Sequence, residues 1–188
     1  MNFKMKTLIS AISLALVIFG VWMLLDINNK KNNSVLPEPE NKANNVKNAT
    51  YLIGGQPVTL VNGLSEIETA SSSASKQITR YFGNEATGDL NGDGQADTAF
   101  LLTQDSGGSG TFYYVAVALA ADKGYQGTNA IFLGDRIAPQ TTDIENGEVV
   151  VNYADRKTGE PMTTEPSVGV SKHFKIIDGK LLEVDSIH

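Results

Sequence analysis

Asp89-Leu90-Asn91-Gly92-Asp93-Gly94-Gln95-Ala96-Asp97 sets hard oxygen donors at alternate positions of a short loop. Counting Asp89 as the first, Asn91 is third, Asp93 fifth, Gln95 seventh and Asp97 ninth. Calcium takes about six to eight oxygens, and this alternation turns side chains toward one centre. Gly94 permits the sharp turn, and Gln95 contributes its main-chain carbonyl. Three crowded carboxylates repel: at about 5 Å and an effective dielectric near 20, each pair costs about 3 kcal/mol. A divalent cation relieves that cost. The expected metal set is Asp89, Asn91, Asp93, Gln95 and Asp97, with Ca2+ as the ion and a structural role for it.

The twelfth position, where an EF-hand carries its bidentate glutamate, is Phe100. The residues after Asp97 read Thr-Ala-Phe-Leu-Leu-Thr, a strand rather than an exiting helix. The loop resembles the Asp-x-Asn-x-Asp-Gly-x-x-Asp calcium sites of FG-GAP repeats and, less closely, those of dockerins. That resemblance implies the ninth-position role for Asp97. It spans nine residues and implies a site, not a propeller, because one copy cannot build one.

Other chemistry is thinly represented. The chain has no cysteine and two histidines, His173 and His188, so thiolate, Ser-His-Asp and histidine-zinc sites lack their parts. Ser109 in Gly107-Gly108-Ser109-Gly110 reads as a flexible turn, not a nucleophile elbow. Tyr113, Tyr114, Tyr125 and Tyr153 read as core or edge tyrosines. Asp135/Arg136 and Asp155/Arg156 read as rim ion pairs worth under about 1 kcal/mol each. A glycan-directed hydrolase using paired carboxylates, with Asp155 and Glu160 as its rim acids, is the alternative enzyme class. No spacing selects that pair, and the sequence favours a non-catalytic binding or scaffolding role. A calcium-dependent adhesion or inhibitor module is the third class.

The elements that must position these residues are extended. Short Val-, Ile-, Thr-, Tyr- and Phe-rich runs alternate with Gly- and Asp-bearing turns. Thr50–Ile53 and Val58–Val61 flank Gly54-Gly55. Gln77–Phe82, Ala96–Thr103, Thr111–Ala120 and Ala130–Leu133 follow. Asn146-Gly147 joins Thr141–Glu145 to Glu148–Tyr153, and Asp178-Gly179 joins His173–Ile177 to Lys180–Val184. Both dipeptides favour the type I′ turn that matches strand twist. Leu64–Arg80 is the one stretch with room for a helical turn or two. The expected fold is all-β, an antiparallel meander forming a sandwich or open barrel, with an N-terminal transmembrane helix.

Three segments are expected: a signal-anchor over residues 1–27, a tether over 28–48 and the β domain over 49–188. Leu8 to Leu25 is an uncharged run of 18 residues after Lys4 and Lys6, about 27 Å long as a helix at about 1.5 Å per residue. No small-x-small cleavage pattern stands around Phe19-Gly20-Val21-Trp22-Met23, which favours an uncleaved anchor over a cleaved signal. The tether is rich in Asn, Lys and Pro and has little apolar surface to bury. Residues 1–48 carry six Lys against three acids, whereas 49–188 carry nine Lys/Arg against eighteen. Such an acidic domain repels phosphates, so nucleic acid is an unsuitable partner. The expected partners are the membrane, through the N-terminal helix, and an extracytoplasmic protein or glycan. The expected location is the cytoplasmic membrane, single-pass, with the domain facing the periplasm or cell exterior (secreted if the segment is cleaved). The stretches Leu133-Gly-Asp-Arg-Ile, Asn146-Gly-Glu-Val-Val-Val and Gly159-Glu-Pro-Met resemble small bacterial envelope proteins of unknown function.

Overall fold

The computed structural model describes residues 45–68 and 76–185. The expected membrane helix and all but the end of the tether lie outside those residues, as does His188. No helix among the described residues is long and apolar enough to cross a membrane. Among the described residues, a 3-10 turn at Val46–Asn48 is capped by the Asn45 side chain, which accepts a hydrogen bond from the Lys47 amide.

All other regular structure among the described residues is strand. β1 (Thr50–Ile53) and β2 (Gln56–Thr59) form the first hairpin, followed by β3 (Leu64–Glu68), β4 (Lys76–Gly88), β5 (Asp97–Asp105) and β6 (Phe112–Ala121). β7 (Gly124–Gly127) and β8 (Asn129–Asp135) both run back along β6. β9 (Ala138–Glu145), β10 (Glu148–Asp155), β11 (Val168–Ile177) and β12 (Lys180–Val184) complete the chain. The two type I′ signals hold: Asn146 and Gly147 have φ of 51° and 75°, and Asp178 and Gly179 have 51° and 71°.

The strands make two sheets. The first has eight strands in the order β2-β1-β8-β6-β5-β4-β3, with β7 beside β6; the second has the order β12-β11-β10-β9. Most neighbours are consecutive, as in a meander. The exceptions both involve β8, which pairs antiparallel with β6 and in parallel with β1 at Leu52–Asn129 and Ile53–Ala130. The first sheet curls almost into a barrel. Main-chain bonds bridge part of its seam: Tyr81 N donates to Gly63 O and Gly63 N to Lys47 O, each at 2.8 Å, while β2 and β3 remain its terminal strands.

Leu64–Arg80, the stretch with room for a helical turn or two, is strand in its described parts, while residues 69–75 lie outside the described residues. Leu64 to Glu68 pairs antiparallel with Lys76 to Arg80, and Lys76 Nζ lies 3.0 Å from Glu66 on the opposing strand. β3 is exposed along most of its length. It therefore shows no alternation for sequence to reveal, and its strand character comes from its partner.

β5 and β6 form the centre of the molecule because both of their faces are covered. Ala99, Leu101, Val115, Val117 and Leu119 face the second sheet and pack with Val149, Val151, Tyr153, Phe174 and Leu181. Phe100, Leu102, Ala116 and Ala118 face into the curl and pack with Tyr51, Ile53, Val58 and Leu60. Two-sided burial explains why these strands read as continuous apolar runs. The Asn129 amide joins the sheets: its Nδ2 donates to Leu181 O at 2.8 Å and its Oδ1 accepts from Leu181 N at 2.9 Å. One side chain thereby serves as the missing neighbour strand for β12. Gly127 passes so close to β1 that a Cβ there would lie 2.2 Å from Thr50 O.

Candidate functional site

The loop over residues 89–96 joins β4 to β5, and its base is closed by the cross-strand pair Gly88–Asp97. Asp89, Asn91, Asp93 and Gln95 are exposed, while Leu90 between them is buried in the core. The loop is held by its own side chains. Asp89 Oδ1 accepts from Gly92 N at 2.7 Å and Oδ2 from Gly94 N at 2.9 Å. Asn91 Oδ1 accepts from Asp93 N at 3.0 Å, and Asp93 Oδ1 from Gln95 N at 2.8 Å. Asn91 Nδ2 donates to Asp93 Oδ2 at 3.0 Å. These Asx turns are what short polar side chains do beside glycines, and Gly94 takes φ of 81°. The Gln95 amide, then the Asn91 side chain, hold the Asp93 carboxyl below its ordinary range.

Asp97 differs from the others. It is fully buried, its Oδ2 accepts from Leu90 N at 2.9 Å and its Oδ1 from Ala120 N at 2.8 Å. It ties the loop to the end of β6. The fit to calcium follows from these bonds. A carboxylate oxygen has two lone-pair sites, so Asp89 and Asp93 keep acceptor capacity toward solvent, and Asp97 keeps some on Oδ2. Asn91 must present its amide oxygen. Among the described residues, no three His, Cys, Asp or Glu side chains form a ready-made metal cluster. A calcium shell here would therefore draw on Asn91 and the Gln95 carbonyl as much as on carboxylates.

The other predicted residues are dispersed. Tyr153 is buried, and its hydroxyl donates to Leu133 O at 3.2 Å. Desolvation first, and then Asp155, pushes its pKa up to about 12. Tyr113 packs against the inter-sheet core, and Tyr114 and Tyr125 against the core inside the curl. Asp135 and Arg136 do form an ion pair, at 3.1 Å. Asp155 and Arg156 do not. Asp155 Oδ1 accepts the Arg156 main-chain N–H at 2.7 Å, while the guanidinium donates to Arg136 O at 3.0 Å and to Thr164 O. Arg156 is a strut for two loops, since carbonyls satisfy a fork of donors as well as a carboxylate does. Glu160 accepts from Lys157 N at 3.0 Å and caps its own turn.

Sequence reading missed a cluster on the outer face of the second sheet. Glu145, Asn146, Glu148, Val150 and His173 line a shallow cavity of about 230 Å³. Glu145 and Glu148 are directly opposed across the β9–β10 hairpin, an unfavourable pairing of like charges. Lys175 Nζ lies 2.9 Å from Glu148 Oε1, and His173 Nδ1 lies 3.3 Å from Oε2. Lys175 first, then His173, lower the pKa of Glu148. The signal available in sequence was the register dictated by the Asn146-Gly147 turn, which places Glu145 across from Glu148.

Compared with family models, curated proteins and solved structures, the chain matches none.

Proposed function

We propose that residues 89–97 bind one calcium ion as a structural element of a membrane-anchored, extracytoplasmic β domain that binds or scaffolds a protein or glycan. The carrying observation is the run Asp89, Asn91, Asp93, exposed at alternate positions in a loop closed at its base and turned at Gly94. Asp89, Asn91, Asp93 and the Gln95 carbonyl would supply most of the shell, with Asp97 reaching it through Oδ2. Calcium outside the membrane is plentiful enough to fill a site of modest affinity. The acidic balance of residues 49–188 and the apolar run Leu8 to Leu25 support the location.

Calorimetric titration of the full chain in detergent with calcium tests the ion. A single saturable site, lost in Asp89→Asn and in Asp93→Asn, is the expected result. Absence of heat, together with a melting temperature that EDTA leaves unchanged, overturns the proposal. Capture of envelope proteins and glycans with calcium and with EDTA then separates a calcium-dependent adhesion module from a passive scaffold.

A further inference from the structure

Asparagine is followed by glycine three times, at Asn62-Gly63, Asn91-Gly92 and Asn146-Gly147. With no Cβ on the second residue, its nitrogen can approach the asparagine side-chain carbonyl. The fold restrains the three pairs differently. Gly63 N donates to Lys47 O at 2.8 Å, one of the bonds that bridge the seam of the first sheet. Gly92 N donates to the Asp89 carboxylate at 2.7 Å, which keeps its proton in place, and the Asn91 amide is bonded to Asp93 at both ends. Among the described residues, Gly147 N and the Asn146 side chain have no such partner, and Asn146 is exposed at the tip of the β9–β10 hairpin.

We propose that Asn146 is a self-modification site, deamidating ahead of every other Asn-Gly pair in the folded chain. Gly147 N loses its proton to solvent base and attacks Asn146 Cγ, forming a five-membered succinimide and expelling the side-chain nitrogen as ammonia. Water then opens the ring at either carbonyl, leaving aspartate or isoaspartate; the sum is one water consumed and one ammonia released. Ring closure takes Asn146 out of its left-handed conformation, φ 51°. That requires only the two-residue tip to open, a local fluctuation at the low end of the stability range. At Asn62 and Asn91 the same step must also break the bonds named above. The product places a new carboxylate beside Glu145 and Glu148 at the cavity that also holds His173. The isoaspartate form additionally lengthens the main chain of the turn.

The test is incubation of the full chain at mildly alkaline pH, with peptide mapping by mass spectrometry and detection of isoaspartate. Asn146 should convert first, severalfold faster than Asn62 and Asn91, and the ranking should collapse in denaturant. A directly made Asn146→Asp variant should co-elute with the acidic product on ion exchange, and Asn146→Gln should abolish the early product. Conversion of Asn62 or Asn91 at the same rate in the folded chain overturns the proposal, as does an intact Asn146 once they have reacted. If Asn146→Gln fails to fold, mapping of the unmodified chain decides alone. The outcome is independent of whether the 89–97 loop binds calcium.

Discussion

Asp89, Asn91 and Asp93 lie within one short turn of chain, whereas Glu145, Glu148, His173 and Lys175 come from three strands, β9, β10 and β11. The first group is held by bonds within its own loop. The second is assembled by strand register, which sets Glu145 opposite Glu148 and brings Lys175 Nζ within 2.9 Å of Glu148 Oε1. Both gather negative charge, and the means of relieving it differ. The second sheet carries its own cations. The loop has none of its own among the described residues, and its side chains lean on main-chain N–H groups. A local polar loop is thus open to an added ion in a way that an internally neutralised sheet face is not.

That contrast can be broken at its anchor first. Asp97→Ala should leave Leu90 N and Ala120 N without acceptors, each orphan costing about 1–3 kcal/mol. Denaturant melts of the full chain should show the largest loss of the set, already present in EDTA and larger with calcium. A loss confined to calcium would make Asp97 chiefly a ligand. Next, calcium itself should raise the melting temperature, by the equivalent of about 2.7 kcal/mol at 100 times Kd. Asp93→Asn should abolish that gain while leaving the EDTA melt nearly unchanged.

Asn129→Ala tests how far the second sheet depends on docking to the first. It removes the clip on Leu181 and should cost about 1–3 kcal/mol by denaturant melt, without altering calcium affinity. The smallest effect belongs to Glu148. Because its folded pKa is lowered, its contribution is fully present above the ordinary Glu value of 4.5 and is lost as pH falls through the depressed value. Glu148→Gln should flatten that part of the acid-side stability curve, read as melting temperature against pH. An unchanged profile would mean the Lys175 and His173 contacts are too solvent-screened to matter.

How much was readable beforehand follows the same division. The hairpins at Asn146-Gly147 and Asp178-Gly179 were readable because a two-residue turn needs positive φ, and those residues supply it without help from afar. The apolar runs of β5 and β6 announced buried strands, but not that each face meets a different core. β3 was misread because an edge strand with both faces exposed carries no period. Arg156 was assigned to Asp155 by adjacency, although its guanidinium reaches past that neighbour to the carbonyls of Arg136 and Thr164.

Sequence alone determined the all-β character, the tight turns and the alternation of donors over residues 89–97, because each depends on contacts between residues close in the chain. Tertiary structure alone decided the curl of the first sheet, the parallel insertion of β1 beside β8, the interior anchoring of Asp97 and the charged face of the second sheet. Those arrangements depend on which distant strands share a register, and register is set by the burial of a common core rather than by local preference.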